Sequence, residues 1–418
     1  MKKLFKNKKV LIMGLGLHGG GVGVAKFFCK NGAKVTITDL KTKNELKESI
    51  SKLKNYKINY VLGKHREKDF INSDLIIKNP DVRKDSYYLK IAQKHNILIE
   101  TDITLFFKLC KSKIIGITGT KGKSTAATLI YQFLKEKYPV ILAGNIGVSP
   151  LSILSKTKKE TLVVLELSSF ELEDLKQSPQ IAIITNLFPD HLNRYKSFKD
   201  YVNSKKAIFK YQTKDDVLFL NYDDPLVRNL KKETKGKVYF YKGNSIDAAI
   251  AVAKYFKIPK KNIKKVLSNF KGIPHRQQFI GIKRGVKYFN DSAATNPESV
   301  ILAIKNLKNK FKKSKIILIA GGVDKNLNYS NLVSEINKNI SDLILFPGSA
   351  SLKIKKELKK EINLFLANSM EEAVKKASSV AKKGDIVLLS PGAASFNLFK
   401  NEFDRGDQFI KYVKKLND

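Results

Sequence analysis

The chain has 418 residues, more than one hydrophobic core accommodates and enough for two or three domains. Its 43% hydrophobic and 10% aromatic content excludes a disordered chain, and no apolar run approaches the ~18 residues of a membrane helix. The formal net charge of +41 raises the question of a nucleic-acid partner, yet only seven of the 79 basic residues are arginines, and the lysines are scattered among acids, so a solvated surface is expected and no nucleic acid.

The opening MKKLFKNKKVLIMGLG sets basic residues before an apolar patch, as a signal peptide would. The patch runs at once into glycines and therefore reads as a first strand. Two cysteines, Cys29 and Cys110, give neither a disulfide framework nor a metal cluster. A cytoplasmic protein without a membrane span is expected.

Along the first ~100 residues, KKVLIMG, AKVTITD, SDLIIK and ILIET read as strands separated by amphipathic stretches such as VAKFFCKNG, the pattern of a helix-covered parallel sheet. A second series runs through KIIGITG, PVILAG, TLVVLEL, IAIITNL and DVLFLN. A third follows ATNPES, with KIILIAGG, DLILFPG, INLFLA and DIVLLSPG. Three α/β domains are expected, spanning 1–100, 101–297 and 298–418.

Two of these series carry a glycine-rich loop after the first strand. In GLGLHGGGVG, residues 14–23, Gly14, Gly16 and Gly19 satisfy the dinucleotide fingerprint, and Asp39 ends the next strand where an acid reads a ribose hydroxyl. Glycines also simply permit a tight turn, but a helix N-terminus suits a pyrophosphate. In GITGTKGKST, residues 116–125, the ending Gly122-Lys123-Ser124 is that of a phosphate loop, yet Ile117 stands where the usual spacing wants a glycine. Backbone amides there suit phosphates, Lys123 suits the β and γ oxygens, and the Ser124 hydroxyl suits Mg²⁺. This loop is assigned to ATP, and the first to a different, nucleotide-bearing ligand.

Further candidates close the later strands of the second series. Glu166 ends TLVVLEL, and Pro189-Asp190-His191 follows IAIITNL, so a carboxylate and an imidazole fall at carboxyl ends of strands, where open α/β sheets bind ligands. Gly144-Asn145-Ile146-Gly147 forms a tight loop whose amide suits substrate orientation.

Taken together, TGTKGKST (118–125), GNIG (144–147), LELSSFELE (165–173), PDHLNRY (189–195), YVNSKKAIF (201–209), GIPHR (272–276), NDSAATNP (290–297), GGVDK (321–325) and SPGAASFNLFKNEFDRG (390–406) resemble the Mur ligases of peptidoglycan synthesis. The last two blocks are similar to those of the D-glutamate-adding branch. TGTxGKS/T is this family's own short phosphate loop, and the first loop becomes a UDP site rather than an NAD site.

The resemblance implies a three-domain Mur ligase architecture: a Rossmann-like N-terminal domain binding UDP-sugar, a central P-loop ATPase-like domain, and a Rossmann-like C-terminal domain binding the amino acid. It implies an ATP-dependent ligase joining UDP-N-acetylmuramoyl-L-alanine to D-glutamate through an acyl phosphate, acting as a monomer. ATP would meet Thr120, Lys121, Gly122, Lys123, Ser124, Thr125 and Ala126, with Asn296 near the adenine and Asp324 and Lys325 closing on the nucleotide. Two Mg²⁺ ions would be served by Ser124, Glu166, His191 and a carbamylated Lys205. Leu17, His18 and Asp39 would contact the uridine end, Asn145 the muramoyl part, and Ser395 the glutamate. Lys121 stands where asparagine is usual and Ala293 where lysine is frequent; the aromatic of Glu402-Phe403 comes one position late, and HGGGVG is unusually rich in glycine.

Four other readings remain at this point, one of them a basic nucleic-acid-binding ATPase that would use the +41 charge. Another Mur-type ligase is a second. A folylpolyglutamate synthase also adds glutamate and has a related ATP loop, but lacks the preceding nucleotide-binding unit. An NAD-dependent oxidoreductase would leave the ATP loop, Glu166 and His191 unemployed.

Overall fold

The computed structural model describes residues 2–17, 19–145, 148–192, 194–358, 362–395 and 398–417. They form two compact units, one of residues 1–187 with 202–268 and one of 188–201 with 269–418.

The first unit contains two parallel sheets. The first sheet comprises β1 (Lys9–Met13), β2 (Lys34–Asp39), β3 (Ile58–Leu62), β4 (Leu75–Lys78) and β5 (Leu98–Glu100), in the order β3-β2-β1-β4-β5. The second comprises β6 (Lys113–Thr118), β7 (Val140–Gly144), β8 (Leu162–Glu166), β9 (Ile181–Ile184), β10 (Val217–Asn221) and β11 (Lys237–Tyr241), in the order β11-β10-β9-β6-β8-β7. The central strands are apolar throughout because helices cover both faces: β6 buries everything after Lys113, and β8 buries all its residues, Glu166 included. Each sheet's order reverses beside its first strand, so β1 and β6 deliver their glycine loops to a crevice at the carboxyl edge.

The second unit holds β12 (Gln278–Lys283), β13 (Val286–Asn290), β14 (Ile316–Gly321), β15 (Ile340–Phe346), β16 (Asn363–Leu366) and β17 (Ile386–Leu389), in the order β12-β13-β17-β14-β15-β16. All its pairings are parallel except the β12–β13 hairpin. That hairpin precedes Pro297, so the third sheet starts before the expected 297 boundary. The strands not foreseen, β3, β11, β12 and β13, include three sheet edges, which bury few of their residues and so lack the continuous buried apolar run of the central strands. No described helix is long and apolar enough to cross a membrane.

Candidate active site

The first loop leaves β1 with Gly14 donating to the Thr38 carbonyl at 2.8 Å. Asp39, buried at the end of β2, organises the rest of the turn. Its Oδ2 accepts from the amides of Leu15 at 2.9 Å and Gly16 at 3.3 Å, and its Oδ1 accepts from Lys41 N at 2.9 Å. The carboxylate therefore shapes the loop. The helix Gly20–Lys30 starts under this turn, and a Cβ on Gly21 would lie 2.3 Å from the Leu15 carbonyl oxygen, a close approach that accounts for part of the extra glycine. Leu17 is exposed beside the loop, and His18 lies outside the described residues.

Asp102 lines a small cavity with Gly14, Gly20, Gly21, Lys78 and Asn79. Burial pushes its carboxyl up to about 6. Burial, and then the Asp102 charge, push Glu171 up to about 8. Glu171 also completes a capping box, its Oε2 accepting from Ser168 N and Oγ at 2.7 Å each. Lys78, buried at the end of β4, pairs with Asp174 at 2.6 Å and so ties the first sheet to the segment after β8.

The second loop, between β6 and the helix Lys123–Leu134, is held from its sides. Thr120 N donates to the Asn186 carbonyl at 2.9 Å, Lys121 N donates to Asn186 Oδ1 at 2.9 Å, and the Lys121 carbonyl accepts from Thr185 Oγ1 at 2.6 Å. Because position 121 is fixed through its backbone, lysine is accommodated where asparagine is usual. A Cβ on Gly119, whose φ is +145°, would fall 1.9 Å from Thr185 Oγ1. The Lys123 ammonium donates to the carbonyls of Gly119 and Thr120, both at 3.0 Å. Ser124 is buried in the first turn, and Ala126 N closes that turn on the Gly122 carbonyl at 2.9 Å.

Two more predicted residues gather near this loop. Lys205 is 2% exposed, and its Nζ donates to the Gly119 carbonyl at 3.0 Å and lies 3.4 Å from Thr118 Oγ1. Its neighbour Lys206 instead pairs at the surface with Glu233 at 2.8 Å. On β8, which pairs directly with β6, Glu166 is 1% exposed. Its Oε1 accepts from Asn145 Nδ2 at 3.3 Å, whereas its Oε2 has no hydrogen-bond partner among the described residues. A buried carboxylate oxygen left without a donor is costly unless a cation takes it, and a carboxylate oxygen is the donor type that Mg²⁺ prefers. Among the described residues no three His, Cys, Asp or Glu side chains form a metal group by themselves.

In the second unit, Asp190 is a hub that sequence reasoning did not select. Its Oδ2 accepts from Asn296 Nδ2 at 2.6 Å, its Oδ1 lies 3.6 Å from Lys325 Nζ, and His191 N donates to Oδ1 at 2.9 Å. His191 adopts φ +55°, a strained conformation for a non-glycine residue, with its ring nitrogen 3.7 Å from Asp190. Asn296 is fully buried and also caps the helix Pro297–Lys310 through Ser299 N at 3.0 Å, so its amide oxygen and its nitrogen both have partners inside the unit. Lys325 further donates to Thr295 Oγ1 at 3.0 Å. Asp324 accepts from Lys353 Nζ at 2.6 Å; burial is the largest single influence and opposes ionisation, but the hydrogen bonds from Lys353 and from the Leu327 and Lys325 amides, with the Lys353 charge, together lower its pKa. Ser395 is buried after β17, and its Oγ has no partner among the described residues.

Family models match three consecutive stretches: "Mur ligase MurD-like, N-terminal domain" at residues 8–100, "Mur ligase middle domain" at 117–281, and "Mur ligase, glutamate ligase domain" at 275–392. A UDP-N-acetylmuramoylalanine–D-glutamate ligase of Borreliella afzelii is 42% identical over 98% of both chains. The chain belongs to the Mur ligase family. Among solved structures, the UDP-N-acetylmuramate-alanine ligase of Thermotoga maritima aligns with a TM-score of 0.65 at 19% identity, covering 98% of this chain and 99% of its own. A bifunctional folylpolyglutamate synthase/dihydrofolate synthase of Yersinia pestis shares the fold with a TM-score of 0.56 at 15% identity, but covers only 73% of this chain. These two likenesses concern the fold, whereas the near-complete 42% match separates the family reading from an oxidoreductase.

Within this Mur ligase, sequence reasoning missed the residues that hold others in place: Asp102, Glu171, Thr185, Asn186, Asp190 and Arg405. Asp190 and Glu171 sat inside the blocks already singled out. Thr185-Asn186 follows β9 as Asp39 ends β2, so a polar residue closing the neighbouring strand was the available signal.

Proposed function

We propose that this chain joins D-glutamate to the alanyl carboxylate of UDP-N-acetylmuramoyl-L-alanine with cleavage of ATP, as a step of peptidoglycan precursor synthesis. The observation that carries it is the 42% identity over 98% of both chains to a ligase named for that reaction. ATP and a UDP-linked acceptor are cytoplasmic solutes, and we assign the reaction to the cytoplasm and to a monomer of three domains.

A carboxylate is a poor electrophile, so the γ-phosphoryl group passes first to the alanyl carboxylate, giving an acyl phosphate and ADP. The glutamate amine then attacks the carbonyl carbon, and the tetrahedral intermediate expels phosphate. The protein's contribution is positioning and charge neutralisation. Residues 120–126 take the triphosphate, with the Lys123 ammonium, already poised over the loop carbonyls, offsetting the negative charge that moves during transfer. Asp324 and Lys325 serve the nucleotide. Asn296 supports them through Asp190, which it shares with Lys325.

Ser124, Glu166, His191 and a carbamylated Lys205 would hold the magnesium ions, which neutralise phosphate charge when bound. The case for the carbamate is the position of Lys205. An ammonium buried away from water is costly, whereas a carbamate keeps one N–H for the Gly119 carbonyl and adds an anion beside the cations. The first loop, with Leu17, His18 and Asp39, takes the uridine end, Asn145 the muramoyl part, and Ser395 the glutamate.

ADP release by the purified enzyme with ATP, Mg²⁺ and UDP-N-acetylmuramoyl-L-alanine, assayed against a panel of amino acids, tests the proposal. Turnover is expected with D-glutamate. Equal turnover with L-glutamate, or turnover with none of the panel, would reject it.

A further inference from the structure

The largest fully buried side chain among the described residues is an arginine. Arg405 is 1% exposed and lies in the last sequence block, on the helix Glu402–Lys414. Its hydrogen bonds all go to neutral oxygens. Its Nε donates to Ser292 Oγ at 2.9 Å, its Nη2 to the Ser292 carbonyl at 2.8 Å, and its Nη1 to the Ala393 carbonyl at 3.2 Å. Burial lowers its pKa to about 10, which leaves the guanidinium charged at neutral pH. A buried cation hydrogen-bonded in this way is an expensive arrangement for structure alone, since an apolar side chain would fill the same space at less cost.

The three bonds join the block 290–297 to the block 390–406, the second of which is similar to that of the D-glutamate-adding branch. Ser292 belongs to residues 290–297 after β13, and Ala393 to residues 390–406 after β17, two strands that pair directly. Around the guanidinium, Ser292 Oγ donates to the Glu402 carbonyl at 2.7 Å, and Asn290 Nδ2 donates to the Gly406 carbonyl at 3.0 Å. On the far side, Ala394 and Val323 exchange backbone hydrogen bonds at 2.9 and 3.0 Å, tying the same segment to the residue before Asp324. Ala393–Ser395 is thus clamped between Arg405 and Val323, and it ends on Ser395, whose buried hydroxyl has no partner among the described residues.

We propose that Arg405 is a positioning residue for the incoming amino acid: by fixing the Ala393–Ser395 segment against Ser292, it holds the Ser395 hydroxyl in place to receive an anionic, dicarboxylic amino acid. This rests on the reading that residues 390–406 receive the amino acid. The planar fork is what the site requires, because a lysine ammonium in its place cannot reach Ser292 and Ala393 in the same geometry.

The test uses the full chain carrying Arg405→Lys, Ser292→Ala or Ser395→Ala, with Michaelis constants measured separately for D-glutamate, ATP and UDP-N-acetylmuramoyl-L-alanine. Acyl phosphate formation without glutamate is followed as hydroxamate after hydroxylamine trapping. Arg405→Lys is expected to raise the D-glutamate KM at least tenfold, with the other two constants and the hydroxamate yield within twofold. Ser292→Ala, which keeps the arginine but removes one acceptor, moves the D-glutamate KM the same way by less, and it decides the matter should Arg405→Lys fail to fold. If Ser395→Ala raises the D-glutamate KM while neither Arg405→Lys nor Ser292→Ala does, the amino-acid site stands and the role of Arg405 is overturned. An equal loss of hydroxamate formation in Arg405→Lys overturns it too. A D-glutamate KM unmoved by Ser395→Ala removes the underlying reading, and the proposal with it.

Discussion

The two glycine-rich loops share a blueprint and differ in their electrostatics. Each leaves the first strand of a parallel sheet, turns through glycines with positive φ and enters a helix. In the first loop a buried anion, Asp39, takes two backbone amides. In the second, two lysines, Lys123 and Lys205, take backbone carbonyls. The glycines set only the path of the chain; the side chains that close on it decide which charge a ligand can bring. A loop whose donors already serve a carboxylate suits polar recognition of a nucleoside, and a loop with the Lys123 ammonium over its carbonyls suits a triphosphate.

The strongest way to break this comparison is at Lys123. Lys123→Ala should cut ligation about a thousandfold while leaving the thermal transition within a few degrees, since the side chain packs against its own loop. Near-normal ADP release from a well-folded variant would show that the second loop does not carry the nucleotide. Next comes the pair Lys205→Ala and Lys206→Ala. The first should lose about a hundredfold, the second little, because Lys206 only pairs with Glu233 at the surface. Mass spectrometry of the native enzyme should find an added carbon dioxide on Lys205, and full turnover of Lys205→Ala in bicarbonate-free buffer would eliminate the carbamate.

On the first loop the expected effects are smaller. Asp39→Ala strands the Leu15 and Gly16 amides, a penalty of ~1–3 kcal/mol, read as about a tenfold or greater rise in the KM for UDP-N-acetylmuramoyl-L-alanine with little change for ATP. Calorimetry on the parent enzyme should show binding of that substrate and none of NAD; the opposite result would return the loop to a dinucleotide.

The smallest effect concerns the Asp102–Glu171 pair beside the first loop. Both carboxyls hold their protons more tightly folded than unfolded, rising from 3.8 to about 6 and from 4.5 to about 8. The stability they contribute is therefore complete below their ordinary range and is lost as pH rises, through about 6 for Asp102 and about 8 for Glu171. Glu171→Gln should flatten the fall of Tm between pH 6 and 9 by a few degrees, with the variant overtaking the parent at the alkaline end. Parallel Tm profiles for the two proteins would mean that Glu171 is already ionised in the neutral range.

Much of this was legible from sequence because it is local. A strand buried on both faces must be apolar along its length, so β6, β8 and β14 announced themselves. A turn that needs positive φ or close backbone approach calls for glycine, so both loops were visible, and the Gly-Lys-Ser ending marked the one that takes phosphates. The block resemblance then supplied the roles that spacing alone left open. Edge strands such as β11 escaped because they are short and bury little of their length, β11 only Tyr241.

What only the tertiary structure decided is which of many identical side chains matter. In a chain with 79 basic residues, the block resemblance picked out Lys205, but no local property gives a physical reason to separate it from Lys206. The fold does so by burying one against the Gly119 carbonyl and leaving the other at the surface. The same holds for Asp190, which gathers Asn296 and Lys325 from 106 and 135 residues further along the chain, and for Arg405, whose partner Ser292 lies 113 residues before it. Sequence pattern reports backbone conformation and burial because both act over a few residues. A buried charge draws its meaning from partners that chain closure alone brings together, and that information exists only in three dimensions.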